Sequence, residues 1–143
     1  MGIHHGGWCP RGRAAEDGRI PACYCLAETP AEDPAQRTAW NVRDADATVI
    51  FSLREMLTGG SALTAEFARA SGKPLLHLSA NRDPERSAEL LSAFLNRHKP
   101  RILNIAGPRE SGEPGIGAFV RATLEKCRTL VFPGNESIKN GFR

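Results

Sequence analysis

Short apolar runs alternate along this chain with segments whose apolar residues recur at helical spacing, and no other feature limits the fold as much. Thr48-Val49-Ile50-Phe51 is β-branched and apolar between polar flanks, as expected for a strand buried on both faces. Pro74-Leu75-Leu76-His77-Leu78-Ser79 and Arg101-Ile102-Leu103-Asn104-Ile105-Ala106 read as two more strands. Between them lie helical stripes: Leu63, Phe67 and Ala70; then Ala88, Leu91, Phe94 and Leu95; then Ile116, Val120, Leu124, Cys127 and Val131. Strands alternating with helices predict an α/β domain with a mostly parallel sheet.

Local signals set the boundaries. Asp33-Pro34-Ala35-Gln36 supplies an N-cap, a proline at the first helical position and a side chain able to reach back, so a helix is expected from here to about Asp44. Gly72 and Pro74 end the helix that follows Gly59-Gly60. Asp83-Pro84 is read as the start of the next helix, and Pro114 as the start of the last. Near the N-terminus a short strand is expected over residues 3–8. A long irregular stretch over 9–32 follows, punctuated by five prolines and glycines, with a short strand expected over 22–26 to order it. Residues 1–131 are assigned to one domain and 132–143 to an aperiodic tail.

At 143 residues and 41% hydrophobic composition the chain suffices for a single core. A formal charge of +3, with both signs interspersed, favours a small anionic ligand over nucleic acid. No run nears the roughly eighteen apolar residues of a membrane helix, and no signal-peptide pattern opens the chain, so a cytoplasmic protein without a membrane partner is expected. Cys9, Cys23 and Cys25, with His4 and His5, lack the spacing of zinc sites, and no protein-held metal is expected.

Three glycine-bearing segments fall where a strand yields to loop or helix: His5-Gly6-Gly7-Trp8-Cys9-Pro10, Thr58-Gly59-Gly60-Ser61 and Ala106-Gly107-Pro108-Arg109-Glu110-Ser111. In an open parallel sheet these junctions share one rim, where main-chain N–H groups and helix N-termini converge on anions. The expected binding residues are accordingly Gly59, Gly60, Ser61 and Thr64; Gly107, Arg109, Glu110 and Ser111; and Gly6, Gly7, Trp8, Arg11 and Arg13. Ser61 and Thr64 would add hydroxyls. Arg109 would fork onto a phosphate, or else pair with Glu110 or Glu113. Trp8 would stack a pterin or purine beside Arg11 and Arg13, or else plug the core. Asn104 faces the crevice or bonds near the sheet end.

Taken together, these segments, with Arg11-Gly12-Arg13, Arg37-Thr38, Asn41-Val42-Arg43-Asp44, Leu63-Thr64 and Gly72-Lys73-Pro74, resemble the family of putative molybdenum carrier proteins. The resemblance implies a Rossmann-like three-layer domain related to the lysine-decarboxylase-like proteins and the cytokinin-activating phosphoribohydrolases. It further implies a non-enzymatic protein holding molybdenum cofactor (molybdopterin), or a similar phosphorylated pterin or nucleotide, at the strand carboxyl ends. Such families open with a strand and a Gly-rich turn upstream of the His-Gly-Gly segment. This chain has no counterpart to them, so an incomplete sheet, a late start or a strand recovered from a homo-oligomeric partner is expected. Glu66 stands where the phosphoribohydrolases carry a glutamate, which with Arg109 defines the alternative of a nucleotide N-glycosidase; Ala62-Leu63 departs from their pattern. A nucleotide-sensing interaction module is the third reading.

Overall fold

The computed structural model describes residues 4–15 and 18–131. Four two-residue strands come first: β1 (Trp8–Cys9), β2 (Ala14–Ala15), β3 (Gly18–Arg19) and β4 (Ala27–Glu28). After them the predicted alternation unfolds as α1 (Pro34–Asp44), β5 (Ala47–Ser52), α2 (Gly59–Ala70), β6 (Leu75–Ser79), α3 (Ser87–His98), β7 (Leu103–Ala106) and α4 (Ile116–Val131). The expected tail, 132–143, lies outside the described residues.

β5, buried along its whole length, is the centre of a parallel sheet ordered β6-β5-β7. Its register sets Ile50 against His77 and Ala106. Period-two alternation divides its side chains between two layers. Ala47, Val49 and Phe51 join Leu78 of β6, Ala88, Leu91 and Phe94 of α3, and Ile116 and Cys127 of α4 in one core. α1 and α2 pack on each other, and α2 against β5 and β6, completing three layers.

The capping signals act as read, with one exception. Asp33 Oδ1 accepts the Ala35 N–H at 2.9 Å, and Gln36 reaches back to the Ala31 N–H at 2.8 Å. The Lys73 ammonium closes the other end of α1 by donating to the carbonyls of Val42, Arg43 and Ala45, where the helix dipole favours a cation. At α3 the expected start is displaced. Arg82 takes the Asp83 carboxylate at 2.8 Å, so the Asp83 side chain does not cap; residues 83–86 form a turn and the helix begins at Ser87.

Two further expectations are corrected. The face that α2 buries consists of Ser61, Thr64, Ala65 and Ala68, while Leu63 and Phe67 are half-buried and Ala70 is exposed; small side chains let the helix lie close to the sheet. In the N-terminal segment, residues 22–24 turn and the strand comes later, at β4, paired in parallel with β1. Of the strand expected over 3–8, residue 3 lies outside the described residues, and of the rest only Trp8 enters β1.

Candidate functional site

A groove of about 580 Å³ opens at the carboxyl end of the sheet, within the range of small-molecule sites. Three elements form it: the outward face of α1, the first turn of α2, and residues 104–112 running from β7 towards α4.

Its floor at α2 follows from helix geometry. The first i→i−4 bond of α2 runs from the Ala62 N–H to the Thr58 carbonyl at 3.3 Å. The N–H groups of Gly59, Gly60 and Ser61 therefore have no intrahelical acceptor, and the N-cap residue Thr58 makes no side-chain cap bond. Partial positive charge concentrates at such an end. Ser61 is only 6% exposed, yet its Oγ is buried without a hydrogen-bond partner. Thr64 is committed differently: its hydroxyl donates to the Gly60 carbonyl at 2.8 Å.

Opposite lie Gly107, Arg109 and Ser111. Arg109 has neither of its expected carboxylate partners. Glu113 accepts the Leu53 N–H, and Glu110 accepts the N–H groups of Gly115 and Gly117 at 2.6 and 3.0 Å. Those two bonds hold the Glu110 carboxyl below its usual range, and they place this residue at the start of α4 rather than in the groove. Asn104 lines the groove with its Nδ2 3.4 Å from Thr48 Oγ1.

The third glycine segment does not reach the groove. The indole N–H of Trp8 donates to Asp44 at 2.7 Å, its ring meets Trp40 edge-on at 4.7 Å, and its backbone is bracketed by the Asn41 amide. Trp8 thus ties β1 to α1. Arg11 pairs with Glu32 on the surface. Arg13, buried at 9% exposure, donates to the carbonyls of Ile20, Pro21, Tyr24 and Leu26, so every arm of its guanidinium is engaged. Gly6 and Gly7 pack against the Cys25 carbonyl and Asn41. Glu66 is exposed on α2 and does not line the groove. Cys23 and Cys25 are exposed, Cys9 and Cys127 are buried, and among the described residues no group of three or more His, Cys, Asp or Glu could hold a metal ion.

Sequence reasoning about glycine segments passed over the α1 wall, made by Arg37, Thr38 and Asn41. Asn41 stands four residues after Arg37 and three after Thr38, spacings that bring side chains together on a helix face, and that pattern was the available signal. Arg37 is half-buried, with no carboxylate within 4.0 Å among the described residues. Burial pulls its guanidinium below the usual range; the nearby Cys9 opposes this, and repulsion from Arg109 adds to it.

A parallel sheet between helical layers, with a groove at its carboxyl rim lined by the first turn of α2 and by two arginines, defines a Rossmann-like α/β domain. Over residues 1–128 the chain matches the circularly permutated YpsA SLOG family, and it belongs to that family. Among solved structures it is similar to the "Putative molybdenum carrier protein" of Syntrophus aciditrophicus SB, with 44% identity and a TM-score of 0.82. That similarity covers 85% of this chain and 77% of the other. The search of curated proteins found no match.

Proposed function

We propose that this domain is a non-enzymatic binding protein for a small phosphorylated ligand, pterin- or nucleotide-like, whose phosphate rests on the first turn of α2. The observation that carries this reading is the unpartnered Ser61 Oγ beside the free N–H groups of Gly59, Gly60 and Ser61, in a groove large enough for such a ligand. The name of the similar Syntrophus protein, a putative molybdenum carrier, favours a molybdenum-bearing cargo, and we take molybdenum cofactor as the form that the groove suits. The donors in the groove fit the phosphate end of a molybdopterin, whose own dithiolene would carry the metal; among the described residues no Cys or His lines the groove. The glycosidase reading is weaker, because Glu66 is outside the groove that contains Arg109. No helix among the described residues is long and apolar enough to cross a membrane.

The test is thermal melting with adenosine 5′-monophosphate and with a pterin phosphate, alongside metal analysis of the purified protein. A ligand at a hundredfold excess over its Kd stabilises by about 2.7 kcal/mol, which raises Tm by several degrees. A Cβ at Gly60 would meet no atom within 4 Å. Gly60→Asp is therefore expected to keep the fold while placing a negative charge on the phosphate position, abolishing the rise. No rise with either ligand, and no co-purifying molybdenum or pterin, would contradict the proposal.

A further inference from the structure

The groove's two cations come from different elements, and nothing in its lining balances them. Arg37 projects from α1 and Arg109 from the loop after β7; among the described residues the lining contains no Asp, Glu, His or Lys. Arg37 is half-buried without a carboxylate partner, an arrangement that costs free energy unless a ligand supplies the counter-charge. The N-terminus of α2 adds roughly half a positive charge, and Ser61 of that first turn lines the groove with its buried Oγ unpartnered. One negative charge would leave one arginine uncompensated. Two would match the site.

From this juxtaposition we infer that Arg37, opposed by Arg109, makes the groove selective for a terminal, doubly charged group such as a phosphomonoester, over an internal, singly charged phosphodiester. The inference rests on the proposed anion site at α2 and assigns it a substrate class. A monoester presents three equivalent oxygens, enough for a guanidinium fork from each side and for the α2 amides. A diester has two unesterified oxygens and one charge, so it offers one acceptor oxygen fewer and leaves one arginine's charge unbalanced. The ligand therefore enters phosphate end first, with its remainder directed out of the open groove.

The experiment titrates the 15N-labelled full chain with methyl phosphate and with dimethyl phosphate at pH 7.5, where the monoester is largely dianionic because its second pKa is about 6. The amides of Gly60 and Ser61 are expected to report both esters, with methyl phosphate binding roughly tenfold more tightly or better, the worth of one charge-assisted hydrogen bond. Arg37→Gln and Arg109→Ala are each expected to draw the two affinities together. The second variant removes an exposed side chain, whereas the turn at Arg109 is held by its backbone carbonyl, so it reads the selectivity even if Arg37→Gln disturbs packing. Equal affinities in the unaltered chain, or a preference that survives both substitutions, would overturn the inference while leaving the anion site in place. Absence of any shift with either ester would overturn the anion site as well.

Discussion

A Cβ at position 107 would lie 2.9 Å from the carbonyl oxygen of Phe51, closer than real contacts allow. Gly107 is thus required by the approach of β7's end to β5, and a contact between residues so far apart in sequence leaves no local trace. Gly7 has two constraints, φ of +133° and an Asn41 Oδ1 2.9 Å from where a Cβ would stand. Gly107→Ala and Gly7→Ala are each expected to destabilise the domain by about 1–3 kcal/mol, read from urea midpoints, whereas Gly60→Asp should leave the midpoint nearly unchanged. A second prediction concerns Asp44. Hydrogen bonds from Arg43 and then from Trp8 lower its pKa from 3.8 to about 2. A depressed carboxyl pKa means that its contribution is complete above the unfolded value and is lost as pH falls from 3.8 towards 2. Asp44→Asn should flatten the stability curve across that window by lowering its neutral-pH plateau, so that the loss relative to the parent is full at neutral pH and shrinks towards pH 2.

Where periodicity is strong, the elements could be read directly: α1, β5, β6 and the apolar stripes of α3 and α4 follow from spacing and from the Asp33-Pro34 cap. α3's true start was hidden because Arg82 takes the Asp83 carboxylate. The described part of the segment over 9–32 was opaque for a different reason, since one side chain joins turns that no local pattern links. Arg13, at φ +55°, gathers four carbonyls of residues 20–26, and no repeating pattern marks such a hub. Arg13→Met is expected to loosen this segment selectively, giving faster proteolytic cleavage between residues 14 and 28 while the helical circular dichroism stays close to that of the parent. Arg13→Lys should rescue it only in part, because an ammonium cannot match the guanidinium's planar array of donors.

At the scale of the molecule, α1, α2 and the β7–α4 connection meet at the carboxyl rim, and their meeting creates the groove. The rim itself could be anticipated from strand–helix alternation. Which glycine segments would share it could not, because β1 and β4 form a separate small sheet bound to α1. Among the described residues β7 pairs only with β5, and Ile102 and Ile105 are 57% and 43% exposed. Parallel strands are normally enclosed, and an open edge templates further pairing. Sedimentation is therefore expected to show association that grows with protein concentration and that Ile105→Lys suppresses; a monomer at all concentrations would count against this. The central claim concerns where a phosphate sits, and the most direct measurement of it is a map of backbone amide shifts on adding adenosine 5′-monophosphate. The account predicts the largest changes at Gly59, Gly60 and Ser61, with smaller ones at Gly107 and Ser111 and none at residues 6–13. Shifts concentrated at Trp8, Arg11 and Arg13 with the α2 amides unmoved would contradict it.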